Sequence, residues 1–175
     1  MASTSHTPKV KWSQPQPGIW KAQTGRRDTL TLTGAARANP RSESLARMQT
    51  ATLPFALDRI ELVKTKEGCA VYIPLGEKEK VFGMGLQMHG SDRRSGVYHL
   101  RMDHYSQGQD RLHVPTPLYV SSDGYAVFLN TSRPVSFYVG VGNRLDDPTR
   151  PIRRDRNTDP KWDPQPPSQW VEASV

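Results

Sequence analysis

Short runs in which apolar and polar residues alternate recur along most of the chain. "RIELV" puts Ile60 and Leu62 on one side, and "CAVYIPL" aligns Cys69, Val71, Ile73 and Leu75. "VYHLRM" sets Tyr98, Leu100 and Met102 against His99 and Arg101. "YAVFLN" sets Tyr125, Val127 and Leu129 against Ala126 and Phe128, and "VSFYVGV" aligns Val135, Phe137, Val139 and Val141. "DTLTLT" does the same with Leu30 and Leu32. A period of two places alternate side chains on one face of a strand, so each run predicts a short strand with one face toward a core. "SQWVEASV", residues 168–175, reads as a further strand with an open edge. Helical signals are confined to "SESLARMQTA", residues 42–51, which Pro40 and Pro54 keep short. "SSDG" predicts a turn in which Gly124 takes a positive φ, and "NTSRP" a hairpin connection into "VSFYVGV". Many short strands separated by turn signals predict an all-β fold, an antiparallel β-sandwich or barrel.

A length of 175 residues fits one domain. Residues 1–9 read as a flexible N-terminus and 10–175 as the β domain. Within it, residues 143–168 form an extended segment holding six of the fifteen prolines. Leu, Ile, Val and Phe together supply only 34 residues. A chain so poor in large aliphatic residues either lacks a core over long stretches or leans on something outside itself. The net charge of +7 permits an acidic partner without requiring one. The basic run "RPIRRDR", residues 150–156, is interleaved with Asp146, Asp147, Asp155, Asp159 and Asp163. That pattern fits a self-paired, solvated loop, so no nucleic-acid partner is expected. No apolar run approaches the roughly 18 residues needed to cross a bilayer, and "MASTSHTPKV" lacks the apolar stretch of a signal peptide. The expectation is a cytoplasmic protein without a membrane partner. A single cysteine, Cys69, rules out an intrachain disulfide and four-thiolate zinc, and its place in a β-run suits a small buried hydrophobe.

Candidate chemistry is sparse. The glycines of "VFGMGLQ", residues 81–87, precede no helical pattern, so they mark a strand end or bulge rather than a phosphate cradle. His89, His99, His104 and His113 are too widely spaced for a tight ligand pair. His99 and His104 meeting across a hairpin, with Asp103 or Asp110, is the one metal alternative, and no metal or other cofactor is expected. No nucleophile–base pair stands out, so no catalytic residue is assigned. Asp103, His104 and Tyr105, in "HLRMDHYSQGQD", combine an acid, an imidazole and a phenol beyond a strand. Two readings remain open: a solvated hairpin apex, or a sugar contact in which the carboxylate accepts hydroxyl hydrogen bonds beside an aromatic face.

The order of motifs carries more. "VFGMGLQ", "SDRRSG", "VYHLRMDHY" and "PTPLYVSSDGYAVFLNTS" follow one another at spacings that resemble the N-terminal β-sandwich of glycoside hydrolase family 31, the α-glucosidase and α-xylosidase family. The similarity covers roughly residues 53–142. Leu86 stands where the family often has Glu, and "SDRRSG" places Asp92 near an Asn position and Arg94 near an Arg position. The resemblance implies a galactose-mutarotase-like β-sandwich with Asp103 on a loop that reaches the aglycone side of a sugar pocket, and His104 and Tyr105 beside it. It implies that the two catalytic aspartates of a retaining α-glycosidase lie on a (β/α)8 barrel, which needs about 250 residues of its own. The expected partners are therefore an oligosaccharide or α-glycoside substrate and the catalytic barrel of the same full-length protein, with the domain inactive alone. The alternatives are an autonomous carbohydrate-binding module of the same architecture, or a basic β-domain that binds nucleic acid or metal.

Overall fold

A computed structural model of the chain describes residues 10–24, 52–64, 68–86, 90–100, 114–142 and 167–175. The strands found among them are, in chain order, β1 (Trp12–Gln16), β2 (Ile19–Ala22), β3 (Glu61–Lys64), β4 (Cys69–Pro74), β5 (Val81–Gly83), β6 (Gly96–Leu100), β7 (Leu118–Ser121), β8 (Ala126–Phe128), β9 (Val135–Val141) and β10 (Pro167–Ser174). A short 3-10 turn, Leu57–Arg59, precedes β3. β1 and β2 form a hairpin, five strands form a sheet in the order β3-β4-β10-β9-β6, and three form a sheet in the order β5-β7-β8. Every pairing is antiparallel.

The core lies between the two larger sheets. The five-stranded sheet contributes Ile73, Leu100, Val135, Phe137, Val139, Val171 and Ala173, and the three-stranded sheet contributes Val81 and Tyr119. Phe137 and Tyr119 meet edge to face across the gap, with ring centres 6.1 Å apart. That geometry sets the positive edge of one ring against the negative face of the other. The all-β sandwich expected from the alternation is thus the observed architecture. The "YAVFLN" alternation holds: Tyr125 is buried and Val127 and Leu129 pack on the core, while Ala126 and Phe128 are exposed.

The five-stranded sheet is not polar on its other side. Val71, Ile73 and Leu75 take the expected inner face, but Ala70 and Tyr72 are also buried and form a second cluster with Val63. Trp170 packs edge-on against Tyr72 at 6.4 Å. On the three-stranded sheet the outer face does meet solvent, and Val120 and Phe128 remain 46% and 45% exposed there.

Two connections differ from their sequence reading. "NTSRP" is not a hairpin, because β8 and β9 belong to different sheets and the segment crosses between them. The strand at 168–175 has no open edge. β10 pairs with β4 on one side and β9 on the other, so Val171 and Ala173 are fully buried. A strand so placed satisfies its N–H and C=O groups on both sides, which an edge strand cannot do. Residues 1–9, "DTLTLT", the candidate helix at 42–51, Arg101 and Met102, and positions 143–166 of the Pro-rich segment all lie outside the described residues. No helix among the described residues is long and apolar enough to cross a membrane.

Candidate functional site

β6 is an edge strand of the five-stranded sheet, and its last residue, Leu100, stands opposite Val135. The next described strand, β7, is the middle strand of the other sheet and begins at Leu118. Positions 101–117 therefore join the edge of one sheet to the centre of the other. Asp103, His104 and Tyr105 fall in this connection and lie outside the described residues, as do His89, Asp110 and His113. β6 pairs with β9, whereas β7 pairs with β5 and β8, so β6 and β7 do not pair with each other. His99 itself is exposed, with Nδ1 2.8 Å from Ser136 Oγ and its ring edge-on to Tyr138. Among the described residues no group of three His, Cys, Asp or Glu side chains is arranged to hold a metal ion.

Register places several segments at the same end of the sandwich as this connection. Leu100 lies opposite Val135, and Leu118 lies opposite Phe128, so the 129–134 crossing is there too. Ser136 pairs with Ser174, and Ser174 with Ala70. The last residue, Val175, exchanges both backbone hydrogen bonds with Cys69 at this end, at 3.1 and 2.9 Å.

The glycine turn after β5 opens toward the same end. Gly83, Met84 and Gly85 have φ of 112°, 64° and 104°. A Cβ on Gly83 would stand 2.7 Å from the Leu118 carbonyl oxygen, so only glycine fits. Met84 holds a left-handed backbone at a cost of about 1–2 kcal/mol, and complete burial of its side chain offsets that strain. Arg93, 5% exposed, gathers the turn from inside. Its Nε donates to Gly83 O at 3.1 Å, and its terminal nitrogens donate to Gly90 O at 3.0 Å and Gly85 O at 3.4 Å. The guanidinium also lies 5.7 Å from the centre of the Tyr98 ring. Asp92 Oδ1 accepts from Arg94 N, and Arg94 reaches the carbonyls of Gly76 and Glu79 at 2.7 and 2.8 Å. The two arginines of "SDRRSG" are thus backbone clamps, and Arg93 is the buried one.

A second polar knot closes the opposite end. Glu79, 3% exposed, accepts from Ser121 Oγ at 2.5 Å, Tyr125 Oη at 2.6 Å and Gly76 N at 2.7 Å. The "SSDG" turn is the hairpin between β7 and β8, with Ser121 N donating to Tyr125 O and Gly124 at φ 84°. Tyr119 stands beside the knot, and among the described residues its buried hydroxyl meets no hydrogen-bond partner. Burial raises the Tyr119 pKa well above its ordinary 10.0, helped by Tyr125 and the Glu79 charge. Burial raises Tyr125 as well, followed by its hydrogen bond to Glu79.

These two phenols predict alkaline instability. Near pH 10 the unfolded chain releases their protons while the folded chain keeps them, so stability is complete below about pH 10 and falls as pH rises past it. The expected slope is up to about 1.4 kcal/mol per pH unit for each phenol. Urea midpoints should stay level from about pH 9 to pH 10 and fall from there to about pH 11, less steeply for Tyr125→Phe. A midpoint that stays level from about pH 10 to pH 11 would contradict the assignment.

Glu79 and Arg93 are absent from the sequence reading because neither lies in a patterned strand. The only local signal is a lone acid after Gly76 and a second arginine beside Arg94. Comparison with curated proteins finds no match. A family model does match: the glycosyl hydrolase 31 N-terminal galactose mutarotase-like domain, over residues 17–137. That span takes in β2 through the first residues of β9, including the glycine turn, the Arg93 clamp, the Glu79 knot and the connection that carries Asp103. The chain therefore belongs to the family of glycosyl hydrolase 31 N-terminal galactose mutarotase-like domains.

Proposed function

We propose that this domain is the accessory N-terminal part of a retaining α-glycosidase, and that its 101–117 connection brings Asp103 to the aglycone side of the sugar pocket. The hydrolytic carboxylates, about 5–5.5 Å apart in a retaining enzyme, belong to a separate (β/α)8 barrel. In this reading the 101–117 connection meets an oligosaccharide or α-glycoside only together with that barrel, and His104 and Tyr105 supply a further hydrogen bond and an aromatic face. The supporting observation is the register at one end of the sandwich. The connection holding Asp103 leaves β6 at the end where Val175 pairs with Cys69. The 129–134 crossing and the glycine turn after β5 lie at the same end, so this end of the sandwich gathers the segments that could face a sugar.

The test belongs in the complete enzyme. A carboxylate that accepts a sugar hydroxyl contributes roughly 1.5–3 kcal/mol, or about ten- to a hundredfold in binding. Asp103→Ala is therefore expected to lower kcat/KM at least about tenfold while circular dichroism stays unchanged. An unaltered kcat/KM for every glycoside the enzyme cleaves would reduce the 101–117 connection to a solvated crossing.

A further inference from the structure

A second place on the domain has the chemistry of a sugar site, away from the connection that carries Asp103. An open pocket of about 410 Å³ lies between the β1–β2 hairpin and the segment before the 3-10 turn. That volume is within the range of small-ligand sites, about 300–1,000 Å³. One wall is Leu53, Phe55 and Leu57. Leu53 and Phe55 pack on the core, and the Phe55 ring stands edge-on to Tyr125 at 5.1 Å, so this wall is held in place. The other wall carries Trp20, with Gln14 and Thr52 among the remaining lining residues.

The hairpin is irregular at this point. Ser13 pairs with Lys21 and Gln16 with Ile19, which leaves Gln14 and Pro15 together opposite Trp20. This is a β-bulge, and it answers two needs. Pro15 has no N–H to give to the ladder, and a bulge is where a strand accommodates proline. Bulges also re-aim side chains, and here Gln14 and Trp20 line one pocket. Among the described residues none of those lining it is charged, although the chain carries a net charge of +7. A partly buried indole, an amide and a hydroxyl without a charge do not select an ion. An open, partly polar mouth does not suit an acyl chain.

We propose that this pocket binds one pyranose ring of a neutral saccharide, with the C–H face of the sugar on Trp20 and its hydroxyls on Gln14 and Thr52. The proposal rests on the glycosidase reading only for its choice of probe. The 175-residue chain is titrated with maltotriose, and binding is followed by tryptophan emission and by calorimetry. A single stacked ring gives a saturable response with a Kd on the order of 1 mM. Trp20→Ala weakens it about tenfold or more through loss of the aromatic face. Gln14→Leu keeps the bulk of the hairpin and removes the amide, and it weakens binding by a smaller factor. In the complete enzyme both variants leave kcat/KM for a small aryl α-glycoside unchanged, so this experiment and the Asp103 test fail separately. No saturation up to about 50 mM overturns the proposal, as does equal affinity in both variants. Tighter binding of a proline-rich peptide than of maltotriose also overturns it, since such peptides dock on aromatic grooves too.

Discussion

Replacing Glu79 with alanine is expected to lower the unfolding free energy by about 3 kcal/mol or more, a large share of the 5–15 kcal/mol of an ordinary domain. The carboxylate accepts from the Ser121 and Tyr125 hydroxyls, which come from the β7–β8 hairpin more than 40 positions further along the chain. It also accepts from Gly76 N, three residues before it. One side chain thus ties the segment between β4 and β5 to the far end of the opposite sheet. Removing it leaves two hydroxyls without their acceptor, and each buried donor so orphaned costs about 1–3 kcal/mol. Gly76 is exposed and recovers its bond from water, so it adds little. A double-mutant cycle isolates the tie. Once Glu79 is gone, Tyr125→Phe should cost less than it does alone, with a coupling of about 1 kcal/mol or more. Urea denaturation of the four proteins measures it. A Glu79→Ala cost below about 1 kcal/mol would mean that the hydroxyls find other acceptors and that the knot is incidental.

Arg93→Ala should cost about 3 kcal/mol by a different route. Three backbone carbonyls, those of Gly83, Gly85 and Gly90, converge on one guanidinium inside the domain. The left-handed backbone at 83–85 turns the first two of them to one side. Without the cation the turn has no reason to hold its strained φ values, and the part-buried carbonyls lose charge-assisted bonds. Arg93→Lys should recover little, since an ammonium cannot present the planar fork that spans separate carbonyls. Amide hydrogen exchange offers a second readout, with protection lost in the β5 turn ahead of the β4–β10–β9 strands. Equal stability of Arg93→Lys and the parent chain would show that charge alone suffices there.

The alternation in "CAVYIPL", "YAVFLN" and "VSFYVGV" was enough to put Val71, Ile73, Leu75, Tyr125, Val127, Val135, Phe137 and Val139 on the core side, because the strand period is intrinsic to the backbone, but not to show that Ala70, Tyr72 and Tyr138 are buried on the other face. The turn at Gly124 and the glycines of "VFGMGLQ" were legible for a similar local reason: positive φ is a property of single residues, and Gly124, Gly83 and Gly85 adopt it. The order of motifs carried the family. Pairing was not legible. Nothing in "SQWVEASV" states that it lies between β4 and β9, and nothing in "NTSRP" states that it leaves one sheet for the other. Period reports a face, whereas neighbours depend on contacts between segments far apart in the chain. The same holds for Glu79 and Arg93. Both look like ordinary surface charges beside Lys78 and Arg94, and both are buried only because distant segments close around them. The candidate site divides along this line. Asp103 was singled out from its residue type and its place in a motif series. That its connection departs from the same end of the sandwich as Val175 was decided by the register of β6, β9, β10 and β4, which exists only once the sheet has formed.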